Sequence, residues 1–214
     1  PFKDQSDQPV FDTTITDQSL TRIFAENRYA GSDRVGDANQ LTLAVTSRFY
    51  DEATSEELFS VTGGQRLNIS TPRVILVGQE APSTSDSDVF ANARGRISRD
   101  VFLDATTQLN AESGRHERGN VSVSYAPATG KQLNLGYRYT RAQIDQFDVS
   151  GQWPISQRWS GVGRLNYSML DNRLIEGVAG LEYSEGCWAV RMIAQRFATA
   201  PALETTSLFF QLEL

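Results

Sequence analysis

From about Asn39 to the last residue, apolar and polar side chains alternate with period two, and the pattern restarts in run after run with polar turn residues between. A strand sends successive side chains to opposite faces, so such runs specify antiparallel strands with one greasy and one wet face. Leu41, Leu43, Val45 and Phe49 oppose Thr42, Thr46 and Arg48; Val101, Leu103, Ala105 and Leu109 oppose Asp104, Thr106, Gln108 and Asn110. Val121, Val123 and Tyr125 oppose Asn120, Ser122 and Ser124, and Leu133, Leu135, Tyr137 and Tyr139 oppose Gln132, Asn134, Arg138 and Thr140. Phe147, Val149 and Trp153 oppose Gln146, Asp148 and Ser150, and Trp159, Leu165, Tyr167 and Met169 oppose Arg158, Ser160, Arg164, Asn166 and Ser168. Ile175, Ala179, Leu181 and Tyr183 oppose Glu176 and Glu182, and Leu208, Phe210, Leu212 and Leu214 oppose Gln211 and Glu213. About eleven strands result, many near the ~9–11 residues that a tilted strand needs to cross a bilayer. Strands of soluble sheets are shorter, about 5–6 residues.

A chain that is 39% hydrophobic and 10% aromatic has the composition of a soluble protein. No apolar run approaches the ~18 residues of a spanning helix, which excludes a helical membrane protein. A transmembrane β-barrel is compatible, because each strand turns only alternate residues to lipid. The formal charge of −6, with no Lys/Arg cluster, argues against a nucleic-acid partner. The chain opens at Pro1 on a polar, acidic stretch, so a secretory signal is absent or lies upstream. With one cysteine, Cys187, no disulfide forms within the chain, and by itself a lone cysteine is more often a buried or idle thiol.

Connections at 51–56, 98–99, 127–130, 154–157 and 185–186 would share one end of the strands, and those at 69–87, 111–114, 141–143, 171–172 and 198–203 the other. Outer-membrane barrels pair short periplasmic turns with longer external loops, which assigns the second set outside and the C-terminus to the periplasmic face. Tyr50, Tyr125, Trp153, Trp159 and Trp188 then gather near the periplasmic strand ends, where interfacial aromatics collect. The same aromatics would also fill the core of a soluble β-sandwich, which turns polar faces outward but seldom uses so many long consecutive strands. Residues 1–38 lack steady alternation apart from a short element near Leu20 to Phe24 and read as an external lead-in loop to a barrel segment at 39–214. In the second loop, Val74 to Val77 reads as a short strand or an anchor folded against the barrel. The only histidine, His116, falls in the charged, loop-like stretch Gly114-Arg115-His116-Glu117-Arg118 and reads as a solvated hairpin residue. With no G-x-S-x-G motif and no metal-ligand spacing, the chain is expected to be neither an enzyme nor a cofactor or metal binder.

Four segments carry a resemblance. Arg28-Tyr29-Ala30-Gly31-Ser32-Asp33-Arg34-Val35-Gly36-Asp37-Ala38-Asn39-Gln40-Leu41, followed by Val45-Thr46-Ser47-Arg48, resembles the R-[FY]-[SA]-G-x-D-R-[IV]-x-x-A-N-[QR] segment that precedes a barrel strand in the LptD family. Leu135-Gly136-Tyr137-Arg138-Tyr139 is similar to that family's N-Y-R-Y strand, and Trp153-Pro154-Ile155 with Arg158-Trp159-Ser160 to its W-P-[IL]-x-x-[RQ]-W-[SN] turn. Gly180-Leu181-Glu182-Tyr183-Ser184 resembles the G-[LV]-[EQ]-Y-[ED]-S strand that comes before a pair of adjacent cysteines; here Gly186-Cys187-Trp188 keeps only the second.

The resemblance implies the C-terminal part of an outer-membrane β-barrel of a Gram-negative bacterium, whose full protein inserts lipopolysaccharide into the outer leaflet through a wet lumen and a lateral seam. It implies as partners an LptE-type lipoprotein plug, the periplasmic bridge component LptA reached through an N-terminal domain, the barrel-assembly machinery and outer-membrane lipid. It also implies that Cys187 bonds to a cysteine of that N-terminal domain. The seam strand would be Thr205, Thr206, Ser207, Leu208, Phe209, Phe210, Gln211 and Leu212, and Asn134, Arg138, Arg164, Asn166, Glu176, Glu182 and Gln211 would face the lumen, or merely solvate it. About eleven strands should not close alone, since single-chain bacterial barrels use even numbers. A passive porin is the nearest rival, with an outer-membrane hydrolase and a soluble β-sandwich binding module behind it.

Overall fold

Backbone N–H and C=O groups must be paired wherever water is excluded, and a chain with period two satisfies them by laying strand against strand. The computed structural model describes residues 2–5, 7–15, 24–27, 29–76, 87–200 and 203–213. Among them β1 (Thr14–Ile15) and β2 (Tyr29–Ala30) form a two-stranded ribbon. Then follow β3 (Gln40–Tyr50), β4 (Glu57–Asn68), β5 (Asp88–Ser98), β6 (Val101–Asn110), β7 (His116–Ala128) and β8 (Lys131–Thr140). β9 (Ile144–Pro154), β10 (Trp159–Ser168), β11 (Arg173–Glu185), β12 (Trp188–Ala200) and β13 (Leu203–Glu213) complete an eleven-stranded sheet in which neighbours in sequence are neighbours in space. The architecture is all-β, and every pair whose register is described is antiparallel.

The turns follow from local chemistry. Asp51 Oδ1 accepts from the N–H of Ala53 and of Thr54, both at 2.9 Å, and folds 51–56 back. Asn110 Oδ1 does the same for Ser113 at 2.8 Å. Gly186 opens the two-residue turn 186–187 at φ 59°, a left-handed conformation that costs a side-chain-bearing residue most and glycine least.

Three sequence readings need correction. The connection expected at 198–203 is mostly strand, since β12 runs to Ala200 and β13 begins at Leu203. His116 is not in a loop but is the first residue of β7, exposed and 3.0 Å from Thr107 Oγ1, because the Asn110-capped turn is over by residue 115. A bulge sets Leu174 rather than Ile175 opposite Tyr167, so the alternation shifts at the start of β11. Of the element expected near Leu20 to Phe24, only Phe24 lies within the described residues.

Residues 1–93 with 105–120 form one compact unit, and 94–104 with 121–214 another. In the first, the lead-in is held by its own motif. Asp33 Oδ2 accepts from the N–H groups of Phe11 and Asp12, both at 2.7 Å, and Ser32 N donates to Asp12 Oδ1 at 3.1 Å. Gly31 stands at φ 88°, where an added Cβ would lie 2.6 Å from Asp12 O, so both conformation and space demand glycine. Arg34 is buried and donates to the carbonyls of Asp33 and Gln8. Tyr29, also buried, donates its hydroxyl to Val74 O at 2.8 Å, while Asp37 accepts from Arg73 N and Val74 N. Val74 is thus tied to the lead-in and residues 70–76 form no strand, while Val77 of the expected segment lies outside the described residues.

Candidate functional site

Among the described residues only Tyr29, Val74 and Phe90 are buried apolar side chains, whereas large apolar side chains stand exposed along the strands. A soluble sheet would put those side chains in a core; a sheet that leaves them out needs an apolar surrounding. Two surfaces therefore carry the argument, one wet and one greasy.

The wet face is built by register. Asn134 pairs with Ser150, Ser150 with Arg164, Arg138 with Gln146, Asn166 with both Asp148 and Glu176, Glu182 with Arg191, and Arg191 with Gln211. All seven residues expected to face a lumen thus lie on one face of β8–β13. Ser124 donates to Asn134 Oδ1 at 2.8 Å, and Asn134 Nδ2 reaches Ser150 Oγ at 3.5 Å. Arg138 donates to Gln146 Oε1 at 3.1 Å. Arg164 bridges Asp148 at 2.9 Å and Glu176 at 3.5 Å, and Gln195 donates to the other oxygen of Glu176 at 2.8 Å. Arg191 Nε donates to Glu182 at 2.8 Å and Nη1 to Gln211 at 3.4 Å. These pairs are half-exposed, so each is individually weak and exchangeable with water or a polar ligand. Asn166 differs: it is buried, and its Oδ1 has no hydrogen-bond partner among the described residues.

The greasy face has two aromatic borders. Toward the 186–187 turn stand Tyr125 stacked with Trp153 at 6.5 Å, Trp159 against Tyr183 at 5.0 Å, and Tyr183 against Trp188 at 5.3 Å. Lys131 Nζ lies 5.5 Å over the Trp153 ring. Toward the 169–172 turn stand Tyr137, Phe147 and Tyr167, successive register partners, with Phe147 and Tyr167 5.6 Å apart.

The border toward the 186–187 turn does not follow the hydrogen-bond rows. The row of Trp153 passes through Gly161 and Leu181 to Met192, yet the tryptophan of β12 is Trp188, four residues nearer the 186–187 turn. The other border keeps to one row from β8 to β10. The first border thus slips four residues over three strands. With ~3.3 Å per residue and ~4.8 Å between strands the slope is about 43°, inside the ~35–45° tilt of transmembrane barrel strands. A water line crossing a tilted ladder gives this slant, and a sandwich core supplies no reason for it.

Among the described residues the sheet order ends at β13, beside β12, and at β3, beside β4. The expected seam residues 205–212 all lie on β13. Cys187 is exposed, unpaired within the chain, and sits in the turn beside Trp188, Tyr183 and the Arg158–Glu185 ion pair at 2.8 Å. Sequence reading missed apolar residues on the wet face, among them Val162, Val178, Ile193, Phe197 and Phe209. The run Leu208-Phe209-Phe210, three apolar residues in succession, was the available signal.

A family model described as LptD, LPS transport system D, matches residues 1–159. Curated proteins called LPS-assembly protein LptD are similar along the whole chain: that of Thiobacillus denitrificans is 45% identical over 214 residues, which are 29% of its own length. That of Aromatoleum aromaticum is 45% identical, with 27% of its length covered, and that of Nitrosomonas europaea 40% identical, with 30% covered. The chain thus spans less than a third of these relatives.

Proposed function

This chain belongs to the LptD family, and from that premise we propose that it is part of an outer-membrane β-barrel that assembles lipopolysaccharide into the outer leaflet. The work is transport rather than catalysis. The ligand is amphiphilic: its sugars need a wet passage and its acyl chains need apolar surface, and both surfaces are sides of one sheet here. The wet face of β8–β13 is the lumen wall, with Asn134, Arg138, Arg164, Asn166, Glu176, Glu182 and Gln211 along it. β13 is one lip of a lateral seam, and the other lip comes from the remainder of the protein. The observation that carries this reading is the slanted tryptophan border, which sets a tilted, lipid-facing sheet against a polar network in a chain whose relatives are LPS-assembly proteins.

The end of the sheet that holds Cys187 faces the periplasm in this proposal, as does the C-terminus. The exposed thiol then joins the barrel to a cysteine of an N-terminal periplasmic domain, a bond suited to that oxidising compartment. An LptE-type lipoprotein in the lumen, an LptA-type bridge component and the barrel-assembly machinery complete the set of partners.

Depletion of the full-length protein, complemented with wild type or Cys187→Ser, tests the reading. Depletion should strip newly made lipopolysaccharide from the cell surface, and wild type should restore it. Oxidised wild type should shift in non-reducing electrophoresis, and the mutant should not. Intact surface lipopolysaccharide with lost uptake of small hydrophilic solutes would instead establish a porin, and equal mobility of the two proteins would remove the disulfide.

A further inference from the structure

The wet face of β10–β13 is interrupted by an apolar strip. Val162, Gly180, Ile193 and Phe209 are successive register partners across the four strands. A Cβ at Gly180 would lie 3.1 Å from Ile193 Cγ1 and 3.6 Å from Val162 Cγ1, so the two branched side chains close over the glycine and the strip is continuous. On one side it is bordered by Glu182, Arg191 and Gln211, and on the other by Arg164, Val178, Gln195 and Ser207, so that at β11 the apolar surface widens by one residue. It ends on the strand that has no further neighbour, where Phe209 is 53% exposed.

The opposite side of that strand carries Leu208 and Phe210, exposed at 72% and 69%. Apolar surface therefore passes around the lip of β13, from wet face to greasy face, with no polar break. The other terminal strand offers less. On β3 the residues that alternate with Leu41, Leu43 and Val45 are Thr42, the small Ala44 and Thr46, and Thr46 is hydrogen-bonded to Thr62 at 2.9 Å.

We propose that the Val162–Ile193–Phe209 strip is the track along which the acyl chains of the glycolipid slide to the seam, while the flanking rows of guanidinium, carboxylate and amide groups hold its sugars and phosphates. The proposal rests on the translocon reading and adds a binding surface to it. A hydrophilic solute crossing a pore has no use for a greasy strip that runs across a polar wall to the edge of the sheet. An amphiphile leaving sideways needs that arrangement, since its acyl chains must stay out of water up to the moment they round the lip.

The test uses the full-length protein with its partners in liposomes supplied with lipopolysaccharide. A photoreactive benzoylphenylalanine replaces Ile193 or Phe209 in the strip, or Ser207 in the neighbouring polar row. Strip positions should cross-link to intact lipopolysaccharide at least fivefold above background and lose that signal with the deacylated saccharide, while Ser207 should capture both. Phe209→Asn should slow delivery at least fivefold, and Phe209→Leu should restore it. Cross-links to lipopolysaccharide at Ser207 with none at 193 and 209, or strip cross-links to protein alone, would overturn the track while leaving the translocon. Failure of the wild type to deliver any lipopolysaccharide would overturn both.

Discussion

Phe90 and Phe209 each project among polar side chains on a sheet, yet Phe90 is 2% exposed and Phe209 53%. The difference lies in what the chain itself provides as cover. Phe90 meets Phe24 of the lead-in edge to face, ring centroids 6.0 Å apart, and lies over Gly64, where a Cβ would come within 2.5 Å of its ring. Around it Thr62, Asn92 and Thr106 are buried too, with Asn92 donating to Thr106 Oγ1 at 2.8 Å. Phe209 ends an open strip beside half-exposed ion pairs. One region is packed shut by local structure, and the other is left accessible, as the proposed acyl track requires.

The sharpest way to break this comparison is to truncate both rings in the full-length protein. Phe90→Ala should cost about 3–5 kcal/mol, the usual loss for a buried aromatic. Phe209→Ala should cost less than about 1 kcal/mol, because little of its surface is removed from water. Urea unfolding in lipid vesicles, followed by the mobility difference between folded and heated samples, measures both. Equal losses would mean that Phe209 is packed in the whole protein and that the strip is core.

A smaller effect is expected where the lead-in is tied to the loop after β4. Asp37 accepts from Arg73 N at 2.9 Å and from Val74 N at 3.1 Å, and its side chain is only 9% exposed. Asp37→Ala leaves two amides without an acceptor and should cost about 1–3 kcal/mol. The loss should be local: faster proteolysis within residues 69–76 and 29–38, with the β10–β13 hairpins unaffected. Protection lost equally in both regions would show that the covered face and the open face do not behave as separate structures.

Legibility in the sequence followed the physics of each signal. Strand number and connections were readable because period two is set by backbone geometry, and the expected turns at 51–56 and 141–143 coincide with the observed ones. The charged and amide residues of the wet face were readable for the same reason, and register brings all seven to one side. Whether that side faces a lumen belongs to the proposal. Alternation could not reveal the apolar strip, because Val162, Gly180, Ile193 and Phe209 lie far apart in sequence and meet only through three hairpin registers. Nor could it reveal the slant of the tryptophan border, which is a relation between strands. The lead-in looked featureless because its order comes from side chain to backbone hydrogen bonds of Asp12, Asn27, Asp33 and Asp37, which have no period.

The smallest effect concerns acid, and it separates the lead-in from the strands by a titration. Asp33 lies outside the spanning segments, and the N–H groups of Asp12 and Phe11 that it accepts hold its carboxyl below the ordinary aspartate range. A carboxylate depressed in the folded state contributes its stabilisation at any pH above the unfolded value of about 3.9, and that contribution fades as pH falls through the lower folded value. The Phe11 and Asp12 amides should therefore stay protected from hydrogen exchange at pH 5 and lose part of their protection factor as pH is taken below about 4. Asp33→Asn should weaken protection at pH 5 and flatten the acid response, because a neutral acceptor gives up the charge assistance and has no proton to gain. An unchanged acid response in that variant would show that the titrating group is not Asp33.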